Sequence, residues 1–418
     1  MVHSLIPREE TFTSRGRSPA VASRVGVGLG IAISVCFITG LLSHAAQDLV
    51  WFPWPTRPSW GYRVTQGAHV ISGVAAIPLL LVKLWSVYPR LYVRPTVKSV
   101  VHALERLSIA ALVAAVIFEL TIGVLNIAKV YIWPFDFRAA HFAVAWVAAG
   151  SLLLHIAIKL PVIRMALSRP VEADDSSLPV SSAETDEKPQ AVASQDPADQ
   201  PAGGGADQGA EADSAETSEK HGIPRRTVVR SAYIASGLAA LSIAGGSIPW
   251  LSKLAVLSPS TGTGPQGVPI NRTADAAGIT DQAIGSAFEL TVVSETATGT
   301  WSLDELRAMP QRTVALPITC VEGWSTNAEW TGVRISDLLA AVDAPAESRL
   351  RIISLQTQAA FGESVLPTQH SADPLTLLAL RLNGEELVRD HGFPCRLIAP
   401  SRPGVLQTKW VTRIEVIG

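Results

Sequence analysis

Apolar residues gather into four long runs in the first 160 residues of this chain, at about 25–46, 64–82, 107–127 and 139–158. Each has about the twenty residues a helix needs to cross ~30 Å of hydrocarbon. A fifth run, rich in Ala, Gly and Ser, covers 231–251. Between the fourth and fifth runs the pattern vanishes: from about 171 to 220 the chain is Ala, Asp, Glu, Ser, Pro and Gly. Such a stretch buries too little surface to offset its chain entropy and is expected to be a disordered acidic linker. Beyond residue 258 the pattern shortens to strand length. FELTVVS (288–294), VALPITC (314–320), RLRIISL (349–355), CRLIAP (395–400) and WVTRIEVI (410–417) read as strands. ISDLLAAV (335–342) reads as a short helix, and the Asn-Gly pair within 377–388 as a hairpin turn.

The expected organisation is multi-domain. An N-terminal tail (1–23) leads into an all-α transmembrane four-helix bundle (24–165), then the linker (166–223). A fifth span follows (224–257), and a mixed α+β domain closes the chain (258–418). A hydrophobic fraction of 48% fits a bilayer as partner, and a net charge of -2 gives no sign of nucleic acid. Orientation follows from the cations in the short flanks. Arg8, Arg15, Arg17 and Arg24 precede the first run, and Lys83, Arg90, Arg94 and Lys98 follow the second. The other two loops hold only Arg57 and Arg63, and Lys129 and Arg138. The N-terminus is therefore expected in the cytoplasm, in a multi-pass protein of the cell membrane, with the C-terminal domain on the far side. The stretch 224-PRRTVVR-230 resembles a twin-arginine export signal placed inside the chain; its arginines also suit a fifth helix that merely obeys the positive-inside bias.

Histidine is costly in hydrocarbon and is usually partnered there. His69 falls near the outer end of the second run and His141 near the outer end of the fourth, with His155 fourteen residues further on. That separation is a rise of ~21 Å, nearly four turns, so His141 and His155 share a face. His69 is at the depth to pair with His141, and His102 is the candidate partner for His155; His44 is a spare. Glu119 is a second polar oddity, suited to bonding a neighbouring helix or to a quinone or proton path. Over about 20–165 the layout resembles the four-helix bacterial b-type di-haem cytochromes, which implies one or two b-type haems exchanging electrons with quinone. No histidine stands near the inner end of the first or second run, a departure from that pattern. The same histidines are also read as interfacial side chains on helices that serve only as an anchor.

Three cysteines, with no CxxC pair, exclude a disulfide framework and a cysteine-pair metal site. Cys395 reads as a small buried hydrophobe. Cys320 ends an apolar strand in polar and aromatic company, with Glu322, Trp324 and Trp330 close behind, and suits a ligand or nucleophile. The segment 320-CVEGWSTNAEWTGVRISDLL-339 resembles the molybdenum-binding motif of the sulfite oxidase superfamily of molybdopterin enzymes. About seventy residues on, 390-DHGFPCRLIAPSRPGVLQTKWVTRIEV-416 resembles that family's cofactor-clamping segment. The resemblance covers nearly all of 265–418 and implies a sulfite-oxidase-type molybdopterin-binding fold. It implies that Cys320 binds molybdenum beside the pterin dithiolene, and that Arg396 and Lys409 hold the pterin phosphate. His391 and Asn271 would be further cofactor contacts, Gln407 and Thr408 would offer backbone amides, and Ser354 is a mid-domain candidate. Arg402 is the one arginine proposed over the metal for an anionic substrate.

The implied activity is oxygen-atom transfer on the extracytoplasmic side, with a sulfite- or sulfoxide-type substrate, small or protein-bound. Electrons would pass to or from the membrane domain, a quinone or another membrane carrier. A different class stays open: a metal-free binding module on a membrane anchor that kept the fold and lost the chemistry.

Overall fold

The computed structural model describes residues 14–49, 51–92, 99–173, 223–258, 264–280, 285, 288–356 and 362–417. Most of the expected linker, 174–222, lies outside these residues. Among the described residues, five helices are long and apolar enough to cross a membrane. They are α1 (Pro19–Asp48), α2 (Gly61–Val87), α3 (Val100–Ile127), α4 (Phe137–Ser168) and α5 (Arg225–Ala244). Local chemistry sets where three of them begin. Ser18, Ser99 and Asp136 each accept a first-turn backbone N–H from Val21, His102 and Ala139. α1 packs on α2, α4 and α5, α2 also on α5 and α3, and α3 on α4. Their shared core includes Val21, Val25, Leu79, Val116 and Ala148.

The fifth helix differs from its expected span of 231–251. It begins at the arginine pair and stops at Ala244, and a 3-10 turn over Pro249–Leu254 follows. The break has a partner: the Gly246 carbonyl accepts the N–H of Ser325 at 2.7 Å, so the chain leaves the helix to bond the C-terminal domain. At the other end Arg225 donates to the carbonyls of Arg15 and Ala173. The residues entering α1, leaving α4 and entering α5 therefore meet on one face.

The C-terminal region is a mixed sheet domain. One sheet runs in the order β2 (Thr298–Ser302), β1 (Glu289–Val293), β10 (Val411–Ile417), β5 (Arg349–Ser354), β6 (Glu363–Leu366). Its β1–β10 pair is parallel and the others antiparallel. The second sheet is β3 (Gln311–Thr319), β4 (Ser325–Arg334), β7 (Leu377–Leu382), β8 (Glu385–Glu386), with β9 (Arg396–Ile398) also on β7. Short helices α6 (Leu303–Ala308), α7 (Ile335–Ala340) and α8 (Thr368–Ser371) connect them. Alternation along the strands points Leu290, Val292, Leu350, Ile352 and Ile414 into one core, and Leu316, Trp330, Leu382 and Ile398 into another beneath the second sheet.

Candidate active site

β3 and β4 pair in full register from Gln311↔Val333 to Thr319↔Ser325, and the loop at their tip carries Cys320. The loop closes on itself: Cys320 N–H donates to Trp324 O at 2.9 Å, and Gly323 N–H to Cys320 O at 3.1 Å. Gly323 has φ of +92°, and a Cβ there would stand 2.9 Å from Val70 of α2, so backbone freedom and close approach both require glycine. On the other side Thr319 bridges Pro403. Cys320 is thereby 2% exposed, and burial, then Glu322, pushes its thiol well above the ordinary range.

A cleft opens beside this sulfur, lined by Asn271, Cys320, Trp324, His391, Arg396 and Lys409 among others. Arg396 is buried against the face of Trp330, 5.1 Å from the ring centre. Its two terminal nitrogens donate to His391 O and Gln407 O, both at 3.1 Å, while Nε has no partner. Burial lowers this guanidinium to about 9. Lys409 donates to the carbonyls of Asp390 at 2.8 Å and Arg272 at 2.9 Å. Burial, then the neighbouring Arg396, brings it to about 7. His391 Nε2 lies 2.8 Å from Pro265 O, and burial lowers the ring to about 4. Gly392, at φ +106°, lets the Lys409 and Arg396 side chains close in, each Cβ within 3.2 Å of where a glycine substituent would project.

Among the described residues neither Arg396 nor Lys409 has a carboxylate partner. Asp390, the nearest candidate, has its carboxylate on the Ala274 N–H at 2.7 Å. Buried cations left so are expensive unless an anion completes them. An orphaned Nε, a dry ammonium and a soft thiol on one cleft fit a soft metal carried by an anionic organic group. Cys320, Arg396, Lys409, His391 and Asn271 are thus brought together. Gln407 and Thr408 stand just behind: the Gln407 amide bonds both polar atoms of Ala399 at 2.8 Å, and the Thr408 hydroxyl pairs with Ser364 at 2.7 Å. Ser354 reaches the cleft only through Lys409, whose carbonyl it holds at 2.7 Å. Arg402 is not brought in. Its guanidinium donates to Leu406 O at 3.1 Å and Val365 O at 2.8 Å, bracing the backbone, and it does not line the cleft.

The long apolar helices complete the surroundings of the Cys320 loop. Lys129, in the α3–α4 connection, pairs with buried Glu322 at 3.1 Å and donates to Ile270 O at 3.2 Å. Glu322 also accepts the Trp324 indole N–H at 2.9 Å. Arg63 donates to Ser325 Oγ at 2.8 Å and to Asn327, Gln66 to Val321 O at 2.9 Å, and the Trp54 indole to Ser401 O at 2.7 Å. Within the sequence Arg63 and Lys129 count only as sparse outer-loop charges, and Gln66 has no distinguishing motif.

Deeper among the helices, the rings of His69 and His141 lie 5.9 Å apart between centres, at 78°. His69 Nδ1 meets the Cys36 carbonyl at 2.8 Å, and His141 Nδ1 stands 2.8 Å from Glu119. His69 Nδ1 is thus engaged by a hydrogen bond, which leaves its Nε2 free to face His141, whose Nδ1 is close to Glu119 without a hydrogen bond among the described residues. Among the described residues no ring contact joins His102 to His155, whose charged neighbours are Lys83, Lys159 and Glu105. His44 is taken by Asp48 at 3.0 Å and stacks on Phe142 at 3.9 Å.

The fold thus sets a buried thiol, a buried guanidinium and a lysine ammonium on one cleft between its strands. Residues 277–418 match the family described as "Oxidoreductase molybdopterin binding domain", and this C-terminal region is a molybdopterin-binding oxidoreductase domain of the sulfite oxidase and MsrP family. The chain is 34% identical over 146 residues to the mitochondrial sulfite oxidase of Rattus norvegicus, covering 28% of this chain and 26% of that protein. It is 31% identical over 155 residues to the mitochondrial sulfite oxidase of Drosophila melanogaster, covering 31% and 27%. It is 30% identical over 131 residues to the catalytic subunit MsrP of the protein-methionine-sulfoxide reductase of Ralstonia nicotianae, covering 28% and 40%. The matches thus span about a quarter of the sulfite oxidases and two fifths of the reductase subunit.

Proposed function

We propose that this protein is a membrane-anchored molybdopterin-dependent oxidoreductase that removes oxygen from sulfoxide-type substrates on the extracytoplasmic side. The observation that carries this is the donor set of the cleft: a buried thiol beside buried Arg396 and half-buried Lys409, neither paired with a carboxylate among the described residues. Cys320 would hold the metal as thiolate and surrender its proton on binding. Arg396 and Lys409 would take the pterin phosphate, with His391, Asn271 and the amides of Gln407 and Thr408 as further donors, and Ser354 bracing Lys409. A molybdenum–pterin group held there supplies two-electron oxygen-atom exchange with the substrate. Because Arg402 is committed to backbone carbonyls, Arg396 is the one arginine among the described residues lining the cleft, and the pterin phosphate would occupy it rather than a sulfite anion. That favours an uncharged S=O group, in a small molecule or an exported protein, and the likeness to a methionine-sulfoxide reductase subunit supports the same choice.

Electrons would come from quinol through one b-type haem gripped by Nε2 of His69 and His141. The cation bias of the flanks supports a cytoplasmic N-terminus, and the meeting of Arg15, Ala173 and Arg225 on one face agrees with it. The arginine pair would then mark the C-terminal domain for export after it takes up its cofactor in the cytoplasm. Metal and pterin analysis of protein from molybdate-fed cells, before and after Cys320→Ala, tests the core of this. About one molybdenum per chain is expected in the parent and none in the variant, by the one-thiolate logic of the site. A parent with neither metal nor pterin would leave the binding module standing instead. Dye-linked assays of methionine sulfoxide against sulfite then decide the substrate.

A further inference from the structure

The Cys320 loop rests on the outer turns of α2, and one side chain joins them. Gln66 is 4% exposed and donates from Nε2 to the Val321 carbonyl at 2.9 Å. Chemistry fixes which way its amide faces. Val321 O can only accept, whereas Oε1 receives the hydroxyls of Ser43 at 3.1 Å and Tyr62 at 3.4 Å. Val321 is bonded to Cys320, and Gln66 precedes His69 by less than one helical turn. A bonded route with one hydrogen bond in it, shorter along the chain than the one through Ser325 and Arg63, therefore runs from the sulfur at 320 to the imidazole at 69. The neighbouring approach of Val70 to Gly323 is only van der Waals contact, and Asn126 reaches the same carbonyl at a looser 3.5 Å.

Electron tunnelling weakens more steeply across gaps than along bonds, and a hydrogen bond is the shortest gap available between two chain segments. We propose that Gln66 is the positioning residue of an electron junction between the membrane helices and the catalytic domain. This rests on Cys320 and His69 being cofactor ligands, as proposed above. Two one-electron transfers along the route, each oxidising one ferrous haem that quinol re-reduces, supply one turnover. They convert a sulfoxide and two protons into a sulfide and water.

The test uses the full-length, cofactor-loaded protein in lipid nanodiscs, with Gln66→Met, which keeps length and loses the donor. Ser43→Ala, which only unfastens the amide, is the milder variant. Haem oxidation is followed after mixing pre-reduced protein with methionine sulfoxide. The expected rate falls about tenfold in Gln66→Met, as outer partners of metal ligands generally show, and by less in Ser43→Ala. Dye-fed reduction of methionine sulfoxide, which bypasses the haem, should hold at the parent rate. Hydrogen exchange over 319–325 should also match the parent, since Arg63, Gly246 and Ser247 still hold that loop. An unchanged haem oxidation rate in both variants would overturn the junction, as would a parallel fall in the dye-fed rate. A parent without a haem band or without molybdenum would instead overturn the reading beneath it.

Discussion

Lys129 shows how much one side chain can decide at this site. It ties Glu322 and Ile270, which flank Cys320 and Asn271, to the connection between the apolar helices α3 and α4. Lys129→Met leaves Glu322 buried without its cation, and because Lys129 is one-third exposed the expected loss is about 1–3 kcal/mol. Thermal unfolding in detergent reads this directly; an unaltered midpoint would show that the pair holds nothing. Arg396→Lys tests the fork. A point charge cannot reach His391 O and Gln407 O together, so pterin should be retained less well through gel filtration than in the parent. His370 offers a test away from the cleft. Burial, then the charge of Arg402, lowers its imidazole to about 3, and both ring nitrogens lack a hydrogen-bond partner beside the Pro400 carbonyl. Above pH ~6.5 the ring is neutral in folded and unfolded chains alike. Below it the unfolded chain binds a proton that the folded one refuses, so stability falls with pH until about 3. At pH 5 that is about 2 kcal/mol. His370→Leu should flatten this part of the pH–stability curve, and a curve of unchanged slope would show that other groups set it.

The β3–β4 hairpin is the element on which the site depends. Its first strand was legible as an apolar run ending in Cys320, whereas its second, Ser325–Arg334, was not read as a strand, and only the pairing of the two puts the thiol at a hairpin tip. What the pattern did not reveal is that the tip is wedged against α2. Gly323→Ala meets two obstacles there, a positive φ and the Val70 methyl at 2.9 Å. The expected cost is about 1–3 kcal/mol. Val70→Ala in the same chain should recover the steric share and leave the backbone share, which a double-mutant cycle separates. Full additivity of the two changes would place the loop away from α2. The fifth helix teaches a related lesson. Its apolar run continues past Ala244, yet the helix stops where Gly246 O takes the Ser325 N–H, a tertiary bond outranking local propensity.

In the whole molecule, the apolar helices and the C-terminal domain form one structure rather than two beads on a tether. Trp54–Ser401, Arg57–Asp373, Arg63–Ser325, Gln66–Val321 and Lys129–Glu322 all cross between them, and α5 packs on α1 and α2. A protease site inserted between 174 and 222, once cut, should therefore leave α1–α4 and the remainder of the chain eluting together from gel filtration. Their separation in mild detergent would show the interface to be too weak to hold without the covalent link.

The sequence by itself determined the elements and the chemistry. The long apolar runs marked helices, most of the strand-length runs marked sheet and ISDLLAAV a short helix, and the order of Cys320, His391, Arg396 and Lys409 carried the resemblance to a molybdopterin domain. Tertiary structure alone decided which of those groups meet. Arg402, adjacent in sequence to the clamp, turned to backbone carbonyls because burial demands that its donors be satisfied. Lys129 and Gln66, nearly two hundred residues or more from Cys320, came to its loop because α2 and the α3–α4 connection pack beneath it. Such contacts follow from how faces close on one another, and no local pattern of residues encodes that.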